Sequence, residues 1–298
     1  MIGPALQTLE LDAGMQGFRI NKIPGESLAT KSKRSTPAGS LTCVGTGMTL
    51  GSHLTPLARS YIETADVVFM AVSDAMVELW LKQMNRDVRS LQPFYHVGKS
   101  RAETYRQMVD AILTEVRAGK TVCGAFYGHP GVFALPPHEA IRIARREGFR
   151  AHMEPGVSAE DCLYADLGID PGTYGCQHYE ASQLLFYKRR IDPSAYLVLW
   201  QVGVVGDQSL ARFSTGRQYR AALVDVLLKD YPPGHKVTIY RAATLPTEPP
   251  QIRRIALRRL AGVAVDLADT LVLPPSRQLV ANHAMVRRLA ALDRGAGN

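Results

Sequence analysis

Seven residues, Tyr127-Gly-His-Pro-Gly-Val-Phe133, constrain this chain more than any other stretch. They follow Thr121-Val-Cys-Gly-Ala-Phe126, a short apolar run with β-branched residues that reads as a buried strand. A strand that ends in Gly-x-Pro-Gly has to turn sharply, and its glycines let a ligand or another backbone come close. Pro137 then stands near the first turn of a helix, where a missing N–H costs little. Strand, glycine-rich loop and helix, in that order, are where open α/β sheets place ligands, outside the carboxyl ends of the strands. An ordinary βα connection has the same outline, so the neighbouring segments must decide.

Those segments repeat the βα pattern. Leu41–Gly45 reads as the first strand, and Gly45, Gly47 and Gly51 give G-x-G-x-x-x-G, one residue off the dinucleotide fingerprint. His53–Thr64 reads as a helix and Asp66–Val72 as a strand. Val77, Trp80 and Leu81 have helical spacing within Ala75–Gln83. Such alternation predicts a parallel sheet covered by helices. Ser100 and Glu103 form an S-x-x-E capping box that starts a helix at Ser100. Arg101 and Tyr105, four apart, share a face of its first turns, and Tyr95 lies just before the cap. Two phenols and a guanidinium thus reach one end of one helix. The plainer alternative is surface tyrosines beside a solvated arginine.

Phe149–Glu154 reads as a further strand. Ser158 reads as an N-cap whose helix can also offer N–H groups to polar ligand atoms. From about residue 181 the pattern changes. Ala195–Val202 is an apolar strand carrying Gln201, Arg217–Leu228 a helix, and Lys236–Tyr240 and Asp269–Leu273 strands. Pro274-Pro275 and a short basic helix follow. The predicted division is a polar, breaker-rich arm over 1–39, α/β domains over 40–180 and 181–275, and a helical tail over 276–298.

Composition narrows the chemistry. The chain is 46% apolar and 21% charged, as globular proteins are. Cys43, Cys123, Cys162 and Cys176 lie far apart and read mainly as small buried hydrophobes, and the eight histidines have no metal-ligand spacing. No metal is expected. No apolar run reaches the roughly 18 residues of a membrane span and no signal-peptide pattern opens the chain, so a cytoplasmic protein without membrane contact is expected. The net charge of +8 comes from doublets read as helix faces, Arg145-Arg146, Arg189-Arg190, Arg253-Arg254, Arg258-Arg259 and Arg287-Arg288. No aromatic residues interleave with them, so nucleic acid is not an expected partner. The same field would attract an acidic peptide.

Taken in order, the first-strand Gly-x-Gly, the Gly-x-Pro loop, Pro155-Gly-Val-Ser-Ala159 and Leu199-Trp-Gln-Val202 resemble the tetrapyrrole methylase superfamily over about residues 40–275. Lys99-Ser-Arg101, Tyr105, Phe126–Phe133, Pro155–Asp161, Ala165–Gly168 and Asp170–Cys176 are most similar to the borosin-type peptide backbone α-N-methyltransferases. The resemblance implies a two-domain α/β fold with S-adenosylmethionine in the cleft between domains. It implies cofactor contacts from Tyr127, His129, Val132, Phe133, Ser158, Ala159 and Gln201, and from Tyr240, Thr270 and Leu271, where the alignment is looser. It also implies a homodimer with peptide held across the subunits.

For catalysis the resemblance implies Tyr95, Arg101 and Tyr105, with Tyr127 holding the amide or the methyl donor. A tyrosine whose pKa a nearby cation lowers would take the amide proton, and Arg101 would steady the developing imidate oxygen. Which tyrosine is the base stays open. Porphyrin-modifying members usually carry Gly-Asp-Pro where this chain has Gly-His-Pro, which argues against a tetrapyrrole substrate. Fused borosin enzymes carry their substrate at their own C-terminus. Here Leu289–Asn298 holds no apolar, β-branched run, so a separate precursor peptide is the expected partner. A methyltransferase of the same fold acting on a tetrapyrrole or other small molecule, and a silent peptide-binding partner, are the alternatives.

Overall fold

The computed structural model describes residues 38–295 apart from Ser73 and Val97. Residues 1–37 of the predicted arm lie outside the described residues. Packing divides the described chain into two compact units. The first runs to Cys162 and adds Gln208–Arg212 and Ala242–Pro249; the second holds Leu163–Asp207, Phe213–Arg241 and the chain from Pro250 onward.

In the first unit, β1 (Ser40–Gly45), β2 (Val67–Ala71), β3 (Val88–Ser90), β4 (Thr121–Phe126) and β5 (Arg150–Met153) form one sheet in the order β3-β2-β4-β1-β5. Every pairing in it is parallel. Both faces are covered, which explains the near-continuous apolar runs of its central strands. On one face α1 (Pro56–Thr64) and α2 (Ala75–Lys82) pack against Val44, Val68, Met70, Cys123 and Ala125. On the other, α3 (Arg101–Arg117) and α4 (Leu135–Arg146) cover Leu41, Cys43, Phe69, Val122 and Phe126. Alternate residues of each strand thus serve opposite cores, the two-residue period of a strand. Thr55 caps α1, Asp74 caps α2 and Ser100 caps α3, each accepting a first-turn N–H.

The second unit begins with most of α5 (Ala159–Leu167), followed by α6 (Pro171–Tyr174), β6 (Cys176–Glu180), α7 (Gln183–Phe186) and β7 (Tyr196–Trp200). Then come α8 (Arg217–Leu227), β8 (Lys236–Arg241), β9 (Gln251–Ala256), β10 (Thr270–Leu273) and α9 (His283–Gly295). The sheet order is β6-β7-β10-β8-β9, with β6 and β7 parallel and the other pairs antiparallel. Its core joins Leu197, Leu199, Ile239, Leu271 and Leu273 to Leu223, Val224 and Leu227 of α8.

Three sequence expectations change here. The main junction between units falls at Cys162 rather than near 181, because β6 pairs with β7 along its whole length. Arg253-Arg254 lies in β9 and not on a helix face. Arg253 there donates to the buried Asp269 carboxylate, which Arg241 also holds. The strand expected over Ala195–Val202 ends at Trp200, and Gln201 turns away in the left-handed region at φ +58°.

Candidate active site

The loops that follow β1, β4 and β5 meet at the carboxyl end of the parallel sheet, and glycines let them meet. A Cβ on Gly45 would stand 2.3 Å from the Gly128 carbonyl oxygen and 2.7 Å from Gly156 Cα. One on Gly156 would stand 2.4 Å from the same oxygen. Three sequence motifs therefore touch backbone to backbone. Gly47 and Gly128, with φ of +74° and +65°, exchange hydrogen bonds of 3.2 and 2.9 Å and tie the first loop to the fourth. The loop after β1 is also held by residues far along the chain: the Thr49 hydroxyl donates to the Ala243 carbonyl and the Leu50 N–H to that of Thr244.

Within the β4 loop, His129 Nδ1 accepts the Gly131 N–H at 2.9 Å, which requires the unprotonated nitrogen. Burial is the main cause of its lowered pKa, with nearby His138 adding to it and Asp161 opposing. The residue that stands in place of an acid is thus a neutral imidazole bracing its own turn. Val132 and Phe133 follow, both half-buried, with Phe133 at φ +49°. A non-glycine residue in that region is strained, and such strain gathers at ligand sites. Ser158 is buried, and its N–H and hydroxyl both donate to Asp161, each at 2.7 Å. Its oxygen accepts from the Glu160 and Asp161 N–H groups, so the predicted cap is present, with Ala159 opening α5.

The phenols and the guanidinium gather at the start of α3. Arg101 is 8% exposed and Tyr105 4% exposed, which rules out a solvated arginine beside surface tyrosines. Ser100 caps Ala102, as expected, while the Glu103 carboxylate accepts from the Gln107 side chain. Tyr95 ends a 3₁₀ turn over Gln92–Phe94. Lys99 Nζ locks that turn to α3, donating to the Phe94 carbonyl at 2.9 Å and to Gln107 Oε1 at 2.5 Å. Sequence reasoning placed Lys99 in a motif but gave it no task; only its spacing from Gln107 could have hinted at one.

At Tyr95 the electrostatics reverse the expected sign. The hydroxyl is buried, with the Tyr105 phenol as its neighbour. Burial pushes its pKa far above the ordinary phenol value, and the Tyr105 and Tyr127 phenols push it further; Arg101 pulls it down without prevailing. Tyr95 therefore keeps its proton. The arrangement supplies a buried fixed cation, a buried neutral donor and two further phenols around one small region. Such a set can stabilise charge on an oxygen while a proton leaves a neighbouring atom.

In the second unit, the side chain of Gln201 is buried beyond the end of β7. Tyr240 and Thr270 are register partners, as are Leu271 and Leu199, and all four are buried. The Tyr240 hydroxyl donates to Asp166 Oδ2 at 2.6 Å, tying β8 to α5. Among the described residues, no group of three or more His, Cys, Asp or Glu is placed to hold a metal ion. No helix there is long and apolar enough to cross a membrane.

Residues 40–261 match the Tetrapyrrole (Corrin/Porphyrin) Methylases family. Over 265 residues the chain is 44% identical to a methyltransferase/ribosomally synthesized type I borosin cyclic peptide precursor of Coprinopsis marcescibilis, covering 86% of this chain and 68% of that one. The chain belongs to the tetrapyrrole methylase family, in its borosin group. A second borosin relative, the methyltransferase/omphalotin A precursor of Omphalotus olearius, is 43% identical over 271 residues, or 87% of this chain and 63% of that one. This family member thus spans about two thirds of the length of such relatives. Its fold is also that of uroporphyrin-III-C-methyltransferase from Thermus thermophilus, with TM-score 0.57 and 20% identity over 83% of this chain and 99% of that one.

Proposed function

We propose that the protein transfers the methyl group of S-adenosylmethionine to backbone amide nitrogens of an apolar peptide. The observation that carries this reading is the buried Arg101 and Tyr105 with the half-buried Tyr95 and Tyr127, whose phenols interact electrostatically at Tyr95, beside the glycine-packed loops. The resemblance assigns the cofactor to Tyr127, His129, Val132, Phe133, Ser158 and Ala159. The loop suits that assignment, because its backbone is packed too closely for any Cβ at Gly45 or Gly156 and is strained at Phe133. Gln201, Tyr240, Thr270 and Leu271 are kept in the assignment on the resemblance, and Gln201 shares the left-handed strain of Phe133. When bound, the cofactor supplies an electrophilic methyl group on sulfur.

An amide nitrogen is a poor nucleophile because its lone pair is delocalised into the carbonyl. Arg101, always charged, donates to the carbonyl oxygen and stabilises the imidate-like form. Tyr95 holds its proton and acts as a second donor to that oxygen. The amide proton is then taken by Tyr105 or Tyr127 acting as the phenolate, directly or through water, which leaves that residue a neutral phenol. The buried helix end holds these groups in fixed orientation, which contributes as much as the proton transfer does.

The relatives carry a cyclic peptide precursor by name, which supports a peptide substrate. Residues 1–39 and 276–298 contain no long apolar, β-branched run. A peptide supplied in trans is therefore the substrate to test. Tandem mass spectrometry of an apolar peptide incubated with enzyme and methyl donor should show methyl increments on backbone nitrogens. Arg101→Ala should abolish them while leaving methyl-donor affinity by calorimetry within about threefold. Donor binding without transfer to any peptide, or transfer by Arg101→Ala at the wild-type rate, would overturn the proposal.

A further inference from the structure

Arg101 is fixed by residues more than a hundred positions away. Its backbone N–H, one of the first-turn donors that a helix cannot satisfy itself, donates to the Leu210 carbonyl at 3.0 Å. Its guanidinium Nη2 donates to the Arg212 carbonyl at 3.2 Å. Gln208–Arg212 belongs to the first compact unit although it lies far along the chain. Two carbonyls only two residues apart thus face one arginine, one gripping its backbone and the other its side chain.

In an extended segment the carbonyls of residues 210 and 212 would face one side but stay about 6.7 Å apart along a straight course past the helix end. Here Leu210 sits at φ +56°, in the left-handed region that a side chain rarely adopts. It is one of three non-glycine residues with positive φ among the described residues; the other two, Phe133 and Gln201, are both residues the resemblance assigns to the cofactor. Leu210 and Ala211 are half-buried, Gln208, Ser209 and Arg212 are exposed, and the Ser209 side chain accepts the Ala211 N–H at 3.3 Å. No apolar core explains why leucine, rather than glycine, holds this conformation. Strain of this kind persists where the surroundings over-determine it, and the bonds to Arg101 are among the contacts that hold this segment.

We infer that Leu210–Arg212 is a positioning segment for methyl transfer, in which the left-handed turn at Leu210 aims two backbone carbonyls to set the angle of the Arg101 guanidinium. The inference rests on the function proposed above. These residues touch Arg101 through the backbone, so their effect is read through turn geometry and not through side-chain chemistry. Leu210→Gly keeps the left-handed conformation without strain. Leu210→Pro locks φ near −65° and forbids it. Leu210→Val disfavours it through a β-branched side chain and tests the same point should the proline variant fail to fold.

The experiment measures single-turnover methyl transfer, peptide KM and hydrogen exchange of the Arg101 amide in all four proteins. Leu210→Gly should transfer at the wild-type rate within about twofold. Leu210→Pro should lose about 100-fold in the transfer rate with little change in peptide KM, the cost of a misplaced charge stabiliser. Leu210→Val should fall between them. The Arg101 amide should exchange faster in the same order. Equal transfer rates and equal Arg101 protection in the valine and proline variants would overturn the inference, as would a loss confined to KM. If wild-type protein transfers no methyl group, the functional reading fails, and the exchange series still decides whether the segment holds Arg101.

Discussion

Replacing Gly45 by alanine adds a single methyl group at the point where three loops touch. The added carbon would lie 2.3 Å from the Gly128 carbonyl oxygen, and ordinary contact begins near 3.4 Å, so the gap must open by about 1 Å. The obstacle is backbone on both sides, and no side chain can swing away. Overpacking of this kind costs about 1–3 kcal/mol, and the upper part of that range applies. Displacing the Gly128 carbonyl also weakens its bond from the Gly47 N–H, worth about 1 kcal/mol. The expected loss is about 3 kcal/mol, read as a fall in Tm of about 6–12 °C for a chain of this size. Gly234→Ala is the control, because its nearest neighbour would be Arg258 Nη1 at an ordinary 3.6 Å. It should change stability by about 0.5 kcal/mol or less. Thermal and urea unfolding of the two variants would check this. A Gly45→Ala protein as stable as the control would refute the claim that these loops are packed backbone to backbone.

Two further outcomes follow from the same geometry. Tyr240→Phe removes the donor to Asp166; because Asp166 is exposed and can regain water, the loss of that bond should be about 1–1.5 kcal/mol, the lower end for a bond to a charged group. A urea midpoint that does not move would show that the bond contributes nothing. For His129, the folded-state pKa is lowered, so its contribution to stability is present above the unfolded value of about 6.5 and is lost as pH falls through the folded pKa. NMR titration of its ring should give a midpoint below the ordinary one, and a midpoint above it would contradict the bond from Gly131.

Much of this was legible in the sequence, and the exceptions share a cause. The central strands announce themselves because both faces of the parallel sheet are buried, and Ser100 marks the start of α3 because a helix end needs an acceptor there. Gly45, Gly128 and Gly156 were visible as glycines in motifs, though not as one contact. What failed depended on partners distant in the chain. β6 carries Gln177, His178 and Glu180 and looks unlike a strand until β7 lies beside it. Arg253-Arg254 looks like a helix face until Asp269 is near. Sequence places a cation near several phenols and predicts a lowered pKa for one of them without saying which; only the packed structure shows that at Tyr95 burial outweighs the cation. Leu210 carries no local signal, since leucine is an unexpected residue for a left-handed turn.

The strand order has a consequence for how the molecule is made. β1 is the first of the described strands to be synthesised, yet it lies between β4 and β5, both far later in the chain. Its first partner, β4, is complete only at Phe126 and its second, β5, only at Met153, and distant parallel pairing of this kind is slow and exposes apolar strands. The Leu210 carbonyl that holds Arg101 emerges later still, after the whole first sheet and the chain through β7. A nascent chain that already contains every phenol of the cluster thus has its arginine unmoored, and the reactive end of α3 is completed only when a much later piece of chain returns to it.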